Sequence, residues 1–179
     1  MSNNKVYCTR CIYSSDTPKI SFDSEGICNY CKLIENLENE YETGTSGGER
    51  KFNEIVEKIK IAGKNKKYDC VVGVSGGTDS SYMLYLAVKY GLRPLAVHYD
   101  NTWNTAIATE NIRKLTQKLK VDLYTLVVNN KEVDDIFRSF FKASVPELDA
   151  ATDIALAETL YRAAGKNGLK YILEGHSFC

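Results

Sequence analysis

The apolar positions change period along the chain. At Phe52, Ile55, Val56 and Ile59 they follow the i, i+3, i+4, i+7 spacing of an amphipathic helix, which the polar run AGKNKKY ends. The run DCVVGVS, residues 69–75, is then continuously apolar and reads as a buried strand. A helix is predicted from about Asp79 to Tyr90, with Met83, Leu84, Leu86 and Ala87 on its apolar side and Gly91 as its C-terminal stop. RPLAVHYD, residues 93–100, is the second strand. Further along come a helix from about Asn104 to Leu119, a strand over 122–128, helices from about Glu132 to Lys142 and Ala150 to Asn167, and a strand over 170–175. Strands alternating with helices predict an α/β fold with a parallel, doubly wound sheet covered on both faces.

The first quarter of the chain lacks this alternation. Residues 1–34 are rich in cysteine and turn formers, a short charged helix is predicted around Lys32 to Tyr41, and YETGTSGGER, Tyr41 to Arg50, reads as a linker. The expected boundary lies near residue 45, with a small unit and linker over 1–45 and the α/β domain over 46–179. Cys8, Cys11, Cys28 and Cys31 are spaced C-x2-C-x16-C-x2-C, the pattern of a four-thiolate zinc ribbon. Two such knuckles complete a tetrahedron with no open position, so the zinc would be structural. Disulfides and a redox CxxC are the competing readings, but Thr9-Arg10 offers nothing distinctive for redox chemistry. Cys70 falls within a strand, where a thiol acts as a small hydrophobe, and Cys179 ends the chain.

Composition narrows the function classes. A chain of 179 residues that is 44% hydrophobic can bury a core without disulfides. Lys plus Arg and Asp plus Glu both number 23, so no long-range field recruits nucleic acid or acidic membranes. The N-terminus has no apolar signal core, and no apolar run approaches the ~20 residues of a membrane span, so a cytoplasmic protein is expected.

The chemistry concentrates in SGGTDS, directly after the first strand. Ligands of doubly wound sheets sit beyond the carboxyl ends of the strands. There Gly76 and Gly77 allow close backbone approach, and Ser75, Thr78, Ser80 and Ser81 offer hydroxyls, which together with the next helix's N-terminus make an anion nest. Neither GxxxxGK[ST] nor GxGxxG is present. The plain alternative is a tight turn in which Asp79 and Ser80 cap the helix. His98 and His176 fall near strand carboxyl ends, and Glu174 and Ser177 lie beside His176. Asp149 and Asp153 stand one turn apart at a helix start, the first expected to cap and the second a candidate for metal or substrate. Trp103 is expected beside a base or over the sheet edge.

SGGxDS after a strand resembles the signature of the PP-loop ATP pyrophosphatases, of the adenine nucleotide alpha hydrolase-like fold, which cleave ATP to AMP and pyrophosphate. The resemblance implies that Ser75, Gly76, Gly77, Thr78, Asp79 and Ser80 hold the pyrophosphate with Mg2+, and that Val97, His98, Tyr99 and Asp100 receive the adenosine. Three further segments, CTRCIYSSDTPKISFDSEGICNYC, the extended SGGTDSSYMLYLAVKYGLRPLAVHYDNTWN and DIALAETLYRAAGKNGLKYILEGHSF, resemble one branch, the bacterial N-acetyl sugar amidotransferases. That branch serves surface-polysaccharide, lipopolysaccharide O-antigen and nonulosonic acid biosynthesis. It implies ATP, Mg2+ and Zn2+ as cofactors, an acetamido sugar as substrate and a separate glutaminase as ammonia source. Asp79, Ser75 and His176 are then the expected catalytic residues, and Glu174, Gly175, Ser177 and Asp153 the expected substrate contacts. Family members are about twice this length, so a fragment or a shortened relative is expected. Two other readings share these motifs: a tRNA-thiolating PP-loop enzyme, which zero net charge disfavours, and a non-catalytic nucleotide-binding module that recruits the glutaminase.

Overall fold

A computed structural model describes residues 5–175 and divides the chain into two compact units, the first ending at Phe52 and the second beginning at Asn53. His176, Ser177 and Cys179 lie outside the described residues.

In the first unit, isolated antiparallel bridges join Tyr7 to Ser14 and Phe22 to Cys28, closing two short loops. Helix α1, Asn29–Tyr41, begins three residues earlier than the charged helix predicted from Lys32, because Cys28 serves as its N-cap and accepts the Cys31 N–H on its sulfur. Glu42 ends it in the left-handed conformation. The expected linker is much shorter than ten residues, since helix α2 runs over Ser46–Gly63. The hydroxyl of Thr45 accepts the Gly48 N–H at 3.2 Å, an N-cap bond that nucleates a helix in spite of Gly47 and Gly48.

The second unit contains the part of α2 from Asn53 onward, then β1 (Cys70–Gly73), α3 (Thr78–Lys89), β2 (Pro94–Asp100), α4 (Ala106–Leu119), β3 (Leu123–Val127), α5 (Asn130–Ala143), α6 (Ala150–Lys166) and β4 (Ile172–Leu173). The strands form one parallel sheet in the order β3-β2-β1-β4, with Gly73 opposite Val97 and Val71 opposite Ile172. Val71, Leu95 and Val97 pack on Leu160, Ala163 and Ala164 of α6. Val72 and Ala96 alternate to the other face and are equally buried, so that face is covered too, and α3 packs on β1 and β2. The predicted doubly wound α/β sheet is therefore the observed one. The first and last strands are shorter than predicted: β1 ends at Gly73, with the Val74 N–H still bonded to Val97 O, and β4 covers only Ile172 and Leu173.

At the sheet's other end, buried Asp69 accepts the Arg93 backbone N–H at 2.8 Å and its Nε at 3.2 Å. Arg93 also donates to the carbonyls of Lys66 and Gly63, which ties down the entries to β1 and β2. No helix among the described residues is long and apolar enough to cross a membrane.

Candidate functional site

The loop between β1 and α3 is built by backbone constraints more than by side-chain caps. Val74 N–H still reaches Val97 O at 2.9 Å, after which the chain turns away. Gly76 has φ +80, the left-handed region, and a Cβ there would lie 2.3 Å from Ala108 O, so α4 closes on the loop at a distance only glycine permits. Asn111 on α4 secures the contact by donating from Nδ2 to Gly76 O at 3.1 Å. Ser80 Oγ accepts the Ser75 N–H at 3.1 Å, lies 3.1 Å from Ser75 Oγ and donates to Gly77 O at 3.4 Å. Ser80 thus holds the loop shut across itself. The helix-capping alternative fails here: Gly77 is the N-cap with no side-chain cap bond, and Asp79 is exposed. The positive end of the α3 dipole is therefore left uncovered by a capping side chain.

The end of β2 braces the same loop. His98 is 6% exposed, and its Nδ1–H donates to Val74 O at 2.8 Å. Its Nε2 accepts from Asn104 Nδ2 at 3.3 Å, and Asn104 also donates to Asp100 Oδ1 at 3.0 Å. A carbonyl can only accept and Asn104 Nδ2 can only donate, so the network assigns the Nδ1–H tautomer. His98 thereby fixes the peptide that precedes Ser75. Asp100 is used in turn by Thr102 N–H at 2.8 Å, and Thr105 caps α4 through Ala108 N–H at 3.2 Å.

Between these elements lies a cavity of about 200 Å³. Ser75 and Ser80 line one side, with Gly73 and Val74 of the strand end; His98, Tyr99, Asn101 and Asn104 line another; Thr152, Leu156 and Leu160 of α6 face them. Glu174 and Gly175 complete the wall, and a Cβ on Gly175 would lie 2.5 Å from Asp79 O, so the chain after β4 touches the α3 backbone. Ser75, Ser80, His98, Glu174 and Gly175, all singled out from sequence, are thus brought together. Gly76 and Gly77 form the outer curve of the loop, Thr78 and Asp79 begin α3, and none of the four lines the cavity.

Three expected contacts lie elsewhere. Val97 is fully buried in the core beneath α6, because its side chain faces the sheet interior. Asp100 is spent on Thr102 and Asn104. Asp153 is exposed on α6, one residue beyond Thr152, which does line the cavity. Asp149 occupies the N-cap position of α6 but makes no side-chain cap bond; its carbonyl accepts the N–H groups of Thr152 and Asp153. Trp103 stacks on Phe137 of α5, with ring centroids 4.4 Å apart, in a separate apolar groove that contains none of the loop residues. Sequence reading missed Asn101, Asn104, Asn111 and Thr152. The polar run DNTWN directly after a strand was a usable signal for the first two, whereas a helical Asn and a Thr inside AATD carry none.

In the first unit, the sulfurs of Cys8, Cys11, Cys28 and Cys31 lie within 4.8 Å of one another. Cys8 and Cys31 are 3.9 Å apart and Cys11 and Cys28 3.7 Å, near the ~3.8 Å edge of a tetrahedron with Zn–S bonds of ~2.3 Å. All four are free thiols. The Cys8 sulfur accepts N–H from Arg10 at 3.4 Å and Cys28 at 3.3 Å, as a thiolate in a knuckle would. Burial raises the Cys8 thiol, but these N–H donors outweigh it and bring it down to about 6. Burial, reinforced by the other sulfurs, pushes Cys31 up to about 12. The sulfur–sulfur spacing and the N–H groups aimed at Cys8 fit zinc.

No family model matches the chain. An uncharacterized protein of Methanocaldococcus jannaschii is 31% identical over 171 residues, spanning 94% of this chain and 58% of that protein. The chain thus covers a little over half of that relative's length. Among solved structures, an NH3-dependent NAD synthetase from Campylobacter jejuni in complex with nitrate is 20% identical with a TM-score of 0.47, over 66% of this chain and 52% of that one. A glutamine-dependent NAD+ synthetase from Acinetobacter baumannii in complex with ADP is 21% identical with a TM-score of 0.44, over 65% and 22%. An NMN synthetase from Francisella tularensis is 23% identical, also at 0.44, over 64% and 50%.

Proposed function

We propose that the α/β unit binds ATP and releases pyrophosphate, and that it belongs to an amidotransferase which converts the acetamido group of a sugar to an acetamidino group. The observation that carries this reading is the closed Ser75–Ser80 loop, which leaves the α3 N-terminus without a side-chain cap at the carboxyl edge of a parallel sheet, beside a cavity of about 200 Å³. A phosphate chain is the ligand whose charge and oxygens such an edge satisfies.

In this reading Ser75, Gly76, Gly77, Thr78, Asp79 and Ser80 hold the β- and γ-phosphates through backbone N–H and hydroxyl donors. The exposed Asp79 carboxylate suits Mg2+, which takes one or two protein carboxylates plus phosphate oxygens and would neutralise charge on the departing pyrophosphate. The amide oxygen of the sugar attacks the α-phosphorus, the bond to the bridging α,β oxygen breaks, and pyrophosphate leaves with that electron pair. Ammonia then adds to the imidate carbon, the C–O bond to AMP breaks, and loss of a proton gives the amidine. Activation divides a difficult displacement at an amide into two feasible ones, and the loop's fixed donors stabilise the leaving charge without reorganising. In this reading Glu174 and Gly175, which line the cavity, contact the acceptor, and a glutaminase is the proposed source of ammonia.

The test is incubation of the chain with Mg-ATP, ammonium and a panel of acetamido sugars. Stoichiometric AMP, pyrophosphate and amidino sugar support the reading. Absence of pyrophosphate binding by calorimetry would sink it.

A further inference from the structure

Two buried threonines of this unit and the half-buried Thr152 use their hydroxyls differently. Thr116 on α4 donates to Ile112 O at 2.9 Å, and Thr159 on α6 donates to Ala155 O at 2.7 Å, both the usual return to the carbonyl four residues back. Thr152 does not. It lies in the first turn of α6, where the residue four back, Leu148, precedes the helix. Its Oγ1 is shielded from solvent and is the one buried side-chain oxygen or nitrogen among the described residues without a hydrogen-bond partner. A buried hydroxyl left unpaired costs free energy, so it has to be explained by strain, water or a ligand. Thr152 lines the cavity opposite Ser75 and Ser80, next to the apolar surfaces of Leu156 and Leu160.

We infer that the Thr152 hydroxyl is a specificity-determining contact for the uncharged, nucleoside end of the ligand whose phosphates occupy the loop. This rests on the nucleotide reading of that loop and adds to it the group that recognises the ligand's other end. The α6 wall of the cavity suits such a moiety: the Leu156 and Leu160 side chains for a flat ring, and beside them the Thr152 hydroxyl, which can either donate or accept at the ring's polar edge. Threonine in a helix populates two χ1 rotamers, so a rotation about χ1 turns the now shielded oxygen toward the cavity that its side chain already lines. The unliganded protein carries the cost of the orphaned hydroxyl, and binding removes it.

The experiment compares Thr152→Val and Thr152→Ser with wild type, using calorimetry with ATP and separately with Mg-pyrophosphate. Thr152→Val should bind ATP about twofold to tenfold more weakly and leave pyrophosphate unchanged, while Thr152→Ser keeps ATP binding. Without ligand, Thr152→Val should melt no lower than wild type, since it removes an unsatisfied group. In methyl NMR of the wild type, the Thr152 Cγ2 resonance should shift with ATP and not with pyrophosphate. Wild-type affinity for ATP in Thr152→Val, or equal losses for ATP and pyrophosphate, overturns the assignment while leaving the phosphate loop intact. A wild type that binds neither ligand removes the nucleotide reading, and the Thr152 assignment with it.

Discussion

Two adjacent glycines should respond to alanine in opposite ways. Gly76 sits at φ +80 with Ala108 O only 2.3 Å from where a Cβ would be. Adopting the left-handed conformation costs a non-glycine residue about 1–2 kcal/mol, and forcing α4 away from the loop adds about 1–3 kcal/mol. At roughly 2–4 °C per kcal/mol for a domain of this size, Gly76→Ala should lower Tm by about 4–20 °C. Gly77 has φ −81 and ψ 171, open to any residue, and a Cβ there would meet only Ser75 Oγ at 3.5 Å. Its alanine variant gains about 0.4–1 kcal/mol from a less flexible unfolded chain and loses a similar amount as a poorer N-cap. Its Tm should therefore stay within about 4 °C of wild type. The added methyl nevertheless points from the outer curve of the loop, where phosphate oxygens are proposed to rest. Mg-pyrophosphate binding should weaken at least about tenfold, or roughly 1.4 kcal/mol. Thermal melting by near-UV circular dichroism and calorimetry with pyrophosphate measure the two quantities. If Gly77→Ala melts as early as Gly76→Ala, or binds pyrophosphate as wild type does, the division of labour between the two glycines is wrong.

Purified chain should contain one zinc by elemental analysis. Cys28→Ser should lose it, together with the order of the first unit in NMR spectra, since Cys28 belongs to the four-sulfur cluster that would hold the ion and is also the N-cap of α1. Asn104→Leu removes the donor to both His98 Nε2 and Asp100 Oδ1, which should cost about 1–3 kcal/mol in chemical denaturation. It should also release His98 from a single tautomer, visible in its ring 15N shifts; an unchanged tautomer would dismiss the brace. Glu110 on α4 is held down to about 2 from the ordinary 4.5 by the Arg113 guanidinium. A depressed folded-state value means that its contribution is complete above about 4.5 and fades as pH falls toward 2. Glu110→Gln should flatten that part of the stability–pH curve, by a small amount because the pair is exposed.

Local patterns in the sequence determined the alternation of strands and helices, the position of the loop after β1 and the grouping of the four cysteines, because hydrophobic period, paired glycines and thiol spacing are all short-range signals. They also misled where a single hydrogen bond outweighs composition: Thr45 starts a helix within a glycine-rich stretch, and Cys28 begins one three residues early. Which residues share the cavity was decided only by tertiary structure. Val97 and His98 are neighbours on one strand, yet the pleat sends the first into the core and leaves the second to brace the loop. Asp153 and Thr152 differ by one helical step, about 100°, which suffices to exchange solvent for the cavity wall. Asn111 acquires its role only because the parallel sheet brings α4 against the loop that follows β1. Contacts between residues distant in sequence depend on how the faces of separate elements meet, and no local pattern in a single chain encodes that meeting.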